Sequence, residues 1–464
     1  MKMPVILRIT IVISAMIVTD QAWGDQFQDM SDSFGNTLTL AGVHHATTTN
    51  PDGTAINFWS PESEGSTATT VGLSNPHMAA ADAYGNIYIA DKSGQAVLKL
   101  TTDGLIHTFA GTHDGGFNGD GPAPATSLQL SNVNGLFVLP NGTVYVLDPG
   151  NHRIRRVGTD GMMATIVNDP DPEWYPSGRA LWVSPDESLI YYTHEFRPVP
   201  PSIIADGAAV KRWTSTNGIE IVCGKSVGFR NPGNIDVNPV NGKLYVCDRA
   251  EEDTTKLSTG LFRIDGPEER TRITGAIDQP TASDGQLAIE SFIDGPRGIA
   301  FRSDGSYFLC GHRDGNVWFV DTDGILHRYL QGKGTKDAYS LLDGLHPPLT
   351  DSAKFAQPRA VTLCPNGNLL VVCNDSGYVF QVTKSAPPPA VTDLGLRVDS
   401  FNRVIIRWTG KFGYGYRLES KTSLMSDSWE SIGAVGGRTE GPTEYVVPEL
   451  ATHSQRFYRI LPSL

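Results

Sequence analysis

The sequence predicts an all-β protein: a six-bladed β-propeller whose N-terminal strand closes the last blade, followed by a small β-sandwich. Three observations predict it. One four-strand unit recurs six times between residues 35 and 384. Gly (49) and Pro (30) are abundant while helical periodicity is nearly absent, as expected where many short strands meet at tight turns. A proline-rich linker at 385–390 then separates this repeat from a different β pattern in 391–464.

The chain has 464 residues, enough for two or three domains. At 39% apolar and 19% charged it can bury a real core, which excludes a disordered tail. The formal net charge of −13 argues against nucleic acid as the main partner, because counterion release needs a basic face.

Residues 1–24 read as a secretory signal. Lys2 and Arg8 make a positive start, Ile9 to Val18 is apolar, and Ala22-Trp23-Gly24 supplies small residues for cleavage. The apolar run is too short to span a bilayer as a mature helix. No Cys follows it, so a lipoprotein is not expected, and no later segment reads as a membrane span. The sequence thus points to a secreted protein, whether extracellular, periplasmic or held at a cell surface.

Each repeat opens on proline or a turn. A short apolar strand, a tight Gly or Asp turn, and a second apolar strand ending in Asp, Asn or His follow. Two more strands flank a turn of the Thr-Asp-Gly kind. The first copy is NPHMAAADAYGNIYIAD, then QAVLKL, TTDG and LIHTFAG. The fifth is PRGIAFRSDGSYFLCG, then GNVWFVDTDGILHRYLQG. The sixth, PRAVTLCPNGNLLVVCN with GYVFQV, stops one strand short, and GNTLTLAG at 35–42 matches the missing strand. Closure of that kind removes an exposed sheet edge.

The run GGFNGDGPAPATSLQL, followed by NVNGLFVLPNGTVYVLDPGNHRIRRV, resembles secreted NHL-repeat propellers. The most specific element is D-x-x-N-x-R-I at Asp148, Asn151, Arg153 and Ile154. It degrades in later copies to forms such as GHRDGNVWFV.

After the linker, VIIRWTG, YRLES, SWESIG, TEYVVPEL and QRFYRI look like a small fibronectin type III-like sandwich, with Trp408 as core aromatic and Tyr458 on a late strand. Terminal domains of this look imply attachment or spacing rather than chemistry.

Five cysteines cannot all pair within the chain. Cys247, Cys310 and Cys373 share one register of the repeat and read as small buried apolar side chains. A bridge between Cys364 and Cys373 stays open. No C-x-x-C spacing suggests zinc.

Turn lengths choose the working face. Turns between first and second strands, and between third and fourth, are tight. The other connections, at 43–72, 112–128, 195–210, 249–259, 277–294 and 332–353, are long. Binding usually sits on long loops over a rigid scaffold. The innermost strand begins at that mouth, and its opening residue, aligned by register, is His77, Asn134, Arg179, Gly233, Arg297 and Arg359. Guanidinium groups about 10 Å apart repel by about 1.7 kcal/mol per pair at an effective dielectric of 20. Something negative is therefore expected nearby, and an Arg fork suits carboxylate, phosphate or sulfate. The second strand ends at the same mouth with Asp91, Asp148, His194, Asp248, Gly311 and Asn374. Those aspartates can satisfy loop amides and pair with the arginines, as an internal salt-bridge girdle.

Two propeller enzymes bring a metal into question. The resemblance to peptidylglycine amidating lyase implies zinc held by channel histidines, for which His77, His194 and His312 are the candidates. The resemblance to gluconolactonase-like propellers implies calcium or zinc on acidic ligands, here Asp91, Asp148 and Asp248 with His77. The loop Asp114 to Asp120 also offers oxygen ligands for calcium, although its spacing is not an EF-hand. No G-x-S-x-G or H-E-x-x-H motif is present. The leading expectation is a non-enzymatic binding protein with no resident cofactor. His77, Asn134, Arg179, Arg297 and Arg359 would contact a peptide, protein, glycan or small anion. A metal-dependent enzyme and a cell-surface scaffold are the alternatives.

Overall fold

A computed structural model describes residues 26–45, 48–169, 178–194, 209–224, 228–229, 231–249, 259–275, 278–332, 343–349, 357–384, 392–400, 403–410, 415–423, 429–435, 441–450 and 456–463. The signal, the proline-rich linker and the loop segments 195–208, 250–258 and 333–342 lie outside the described residues. One compact unit runs from Gln26 to Lys384, and the described part of the other lies within Ser385–Leu464.

The larger unit is all-β, and its described residues form six antiparallel sheets. In chain order the first strands of the sheets are Pro76–Ala81, Gly135–Val138, Leu181–Val183, Pro232–Val237, Pro296–Phe301 and Pro358–Leu363. Each touches the first strand of the next sheet, and Pro358–Leu363 returns to Pro76–Ala81. The second strands lie one step outward: Ile87–Asp91, Val144–Asp148, Leu189–His194, Leu244–Asp248, Tyr307–Gly311 and Leu369–Cys373. Five of these six are buried at every residue. A strand covered on both faces reads as a continuous apolar run rather than an alternating one, and sequences such as LYVCD and LLVVC do so. Cys247, Cys310 and Cys373 are wholly buried in them, and all five cysteines are free thiols.

Tight turns join first to second strands. At Asn141-Gly142 the glycine takes φ +89°, a left-handed conformation that side chains resist. Two short rim strands, Ser66–Thr67 and Ala123–Pro124, extend the first and second sheets. They were not legible in the sequence because two residues carry no period.

Phe34–Ala41 pairs antiparallel with Tyr378–Lys384 and completes the sixth sheet. A short helix, Gln26–Asp32, precedes it. Met30 of that helix is fully buried, and Phe27 stacks on His327 at 4.7 Å.

The C-terminal unit has two three-stranded antiparallel sheets. One contains Thr392–Val398, Arg403–Gly410 and Gly441–Leu450; the other contains Glu430–Val435, Gly415–Lys421 and Phe457–Ser463. Val404, Ile406, Trp408 and Val447 from the first sheet share a core with Leu418 of the second.

Candidate functional site

The site begins as an irregularity repeated along the first strands. Pro76 pairs with Asp91 but Met78 already pairs with Ala90, so His77 is an extra residue in the ladder. Arg297 and Arg359 stand at the same kind of bulge. A bulge bends the strand and re-aims a side chain. The register also sets the ends of the second strands, Asp91, Asp248 and Gly311, beside the starts of the first, Pro76, Pro232 and Pro296.

Close approach of the backbone leaves no room for side chains beside these positions. The residues after Asn134 and Arg297 are glycines. A Cβ on Gly135 would stand 2.7 Å from the Arg179 carbonyl oxygen. One on Gly298 would stand 2.7 Å from both Cys310 Sγ and Val361 N. Only glycine lets the first strands meet so closely.

His77, Asn134, Arg179, Arg297 and Arg359 line one cavity, joined by Asn234. The enclosed space is small, about 10 Å³. The fourth sheet corrects the alignment that chose Gly233. Its bulge spans Gly233 and Asn234 together, opposite Cys247, so the side chain that reaches the cavity is one residue later. The motif Pro-Gly-Asn held that signal, because glycine has no side chain to project.

The histidine is held in one tautomer. His77 Nδ1 lies 2.9 Å from the Asn75 carbonyl oxygen and donates to it. Asn75 has φ +73° and is itself fixed by Asn374 of the sixth sheet, whose side-chain amide donates to Asn75 Oδ1 at 2.9 Å. Burial holds the His77 imidazole far below its ordinary range, reinforced by Arg359, Lys92 and Arg179. The ring is therefore neutral, and Nε2, buried and without a hydrogen-bond partner among the described residues, carries a lone pair. Asn234 donates to Met78 Sδ at 3.6 Å, from a sheet opposite in the cyclic order. That contact ties the fourth first strand to the first.

The aspartates at the second-strand ends have a different task. Ser74 N donates to Asp91 (2.9 Å), Ser131 N to Asp148 (2.7 Å) and Asn231 N to Asp248 (2.7 Å), each 17 residues apart. These equivalent clamps tie down the loop that leads into each first strand. Asp148 also pairs with the wholly buried Arg155 at 3.1 Å, and Arg270 approaches Asp248 to 3.8 Å. Asp148 thus joins an arginine of the third strand, not one that lines the cavity. Burial pushes the Asp91 carboxyl up to about 7, against the opposing pull of its Ser74 bonds.

His312 likewise serves a loop. Its Nδ1 donates to the Gln357 carbonyl oxygen at 3.2 Å, two residues before Arg359. Burial, then Arg359, Arg249 and Arg179, bring its pKa down to about 2. His194 is buried at the end of its strand and does not line the cavity. Among the described residues no three His, Cys, Asp or Glu side chains gather where a metal ion could sit. The six weak metal candidates His77, His194, His312, Asp91, Asp148 and Asp248 are dispersed because most are turned to backbone amides and carbonyls. In the loop Asp114 to Asp120, Asp120 is bonded to Arg153 (2.7 Å) and Thr165 (2.7 Å), as an ordinary connection between sheets. The donor set does not fit a resident calcium or zinc.

No protein-family model and no curated protein sequence matches the chain. Among solved structures, one of unknown function from Bacteroides thetaiotaomicron is 14% identical, with a TM-score of 0.52, and the match covers 76% of each chain. An auxiliary nutrient binding protein from the same organism is 10% identical, with a TM-score of 0.51, over 75% of this chain and 76% of that one. A gluconolactonase from Xanthomonas campestris is 14% identical at a TM-score of 0.45, over 76% of this chain and 96% of that one. At such identity the first two likenesses concern the fold alone, and the third carries no argument. No described helix is long and apolar enough to cross a membrane. The described residues form an all-β protein of the β-propeller type.

Proposed function

We propose that residues 34–384 form a closed six-bladed propeller and that the protein is a secreted binding protein whose central cup takes an oxyanion. The observation that carries this reading is the convergence of Arg179, Arg297 and Arg359 with His77, Asn134 and Asn234 on one cavity. Three cations and three uncharged hydrogen-bonding groups, five of them delivered by one repeat position and Asn234 by the next, suit a carboxylate, phosphate or sulfate group. That group belongs to a free small molecule or to the end of a peptide or acidic glycan. The fibronectin type III-like C-terminal unit would hold or space the propeller at its place of work, and residues 1–24 would export it.

The neighbour described as a nutrient binding protein lends the fold to this reading but not a ligand, since one fold serves many functions. A metal-dependent hydrolase or lyase is the weaker reading, because the candidate ligands do not gather.

Calorimetric titration of the full mature chain with acetate, phosphate and sulfate tests the proposal. Saturable one-to-one binding of at least one of these, weakened by salt, is expected. No binding of any oxyanion up to tens of millimolar sinks it.

A further inference from the structure

The cup is unevenly equipped. Its charges come from the third, fifth and sixth sheets as Arg179, Arg297 and Arg359, while the first and second contribute His77 and Asn134. All three arginines can only donate. His77 is different in kind. With Nδ1–H committed to the Asn75 carbonyl, Nε2 can act only as an acceptor, and no donor among the described residues reaches it. The ring cannot turn over to offer a proton without breaking that bond. The Asn374 to Asn75 hydrogen bond and the left-handed turn at Asn75 hold the acceptor in place from behind. A buried acceptor left unmatched costs more than a matched one contributes. A bare anion, which has only lone pairs, would place oxygen against nitrogen there.

We infer that the cup selects an oxyanion that also carries a hydroxyl, with the anionic oxygens on the arginine side and the O–H donated to His77 Nε2. This rests on the anion-binding reading above and names its ligand class. Two kinds of ligand share the chemistry: a hydroxycarboxylate, such as a sugar acid, and monohydrogen phosphate. The enclosed space is small, about 10 Å³, so the cup would meet only the anionic, hydroxyl-bearing end of a ligand whose remainder stays outside.

Matched pairs of probes provide the test: glycolate against acetate, and phosphate against sulfate, titrated into the full mature chain at pH 7.5. The hydroxylated member of a pair should bind about five- to tenfold more tightly, the worth of one good buried hydrogen bond. Preference within the glycolate pair alone identifies a hydroxycarboxylate, and within the phosphate pair alone a phosphate. In His77→Phe the preference should collapse to about one. In His77→Gln, whose amide oxygen is again an acceptor, part of it should return, and melting curves of both variants separate a lost acceptor from a lost fold. Oxyanions that bind without preference for a hydroxyl overturn this inference but leave the anion site standing. Binding of no oxyanion at all overturns both.

Discussion

Asn234 donates its side-chain amide to the sulfur of Met78 at 3.6 Å, from the first strand of the fourth sheet to that of the first. The two residues are 156 apart in sequence and join strands of two different sheets. Met78→Ala should therefore remove this link between the sheets and cost about 2 kcal/mol, the low end for a buried methionine. Denaturant unfolding would measure it. An unchanged midpoint would mean that the sulfur packs against nothing of consequence.

The arginines should matter for ligand and little for fold. Replacing Arg297 and Arg359 together by Gln should weaken oxyanion binding by roughly a hundredfold or more, at about 1.5–3 kcal/mol for each charge-assisted bond. The melting temperature should stay nearly where it was. A large drop in melting temperature would instead assign the two side chains to an internal network of charges.

Asp148 should behave in the opposite way. It accepts from Ser131 N, Asn151 and Arg155, and Arg155 is fully buried. Asp148→Ala leaves a buried guanidinium without its main carboxylate, which typically costs about 3–5 kcal/mol. Asp148→Asn keeps an acceptor for the loop amide and should cost less. Chemical denaturation of the two variants ranks them, and equal losses would count against the amide clamp.

Asp91 links stability to pH. Its carboxyl is raised to about 7 by burial, from an unfolded value near 3.8. A carboxyl raised on folding stabilises the native state while it stays protonated, and that contribution fades as pH climbs from about 4 through 7. Asp91→Asn mimics the protonated form. Its melting temperature relative to the parent should therefore rise steadily between pH 5 and pH 8. A difference independent of pH would mean that Asp91 is already ionised in the fold.

All five cysteines are buried, and burial raises the Cys223 thiol to about 11 and the Cys364 thiol to about 12. Since the thiolate is the reactive form, the native protein should resist a thiol reagent such as DTNB at pH 8. About five thiols should appear after denaturation. Fewer would reveal a disulfide, and rapid native labelling would reveal an exposed site.

Much of this was readable from sequence because the repeat supplies its own alignment. Six copies put His77, Asn134, Arg179, Arg297 and Arg359 in one register, and the cavity gathers them. Alignment failed at Asn234, where Pro-Gly-Asn accommodates the extra bulge residue differently from Pro-His or Pro-Arg. The aspartates were legible as residues at strand ends, but their partners were not. A carboxylate that clamps an amide and one that awaits a metal look alike in one dimension. The uncommitted nitrogen of His77 was also invisible, since it depends on a carbonyl two residues back and an asparagine 299 residues further from that turn.

The pairing of Phe34–Ala41 with Tyr378–Lys384 has a bearing on how the chain matures. Thr383 donates to the Asn36 carbonyl across 347 residues, so this seam closes one of the longest loops in the unit. The other sheets draw on neighbouring segments and can assemble as the chain emerges. The first strand, made almost at the outset, has to wait for the last. Throughout that interval it is an unpaired edge, open to the same partner on another molecule. Truncation before Tyr378 should therefore leave the chain strand-exchanging and aggregation-prone, however intact its other five sheets remain.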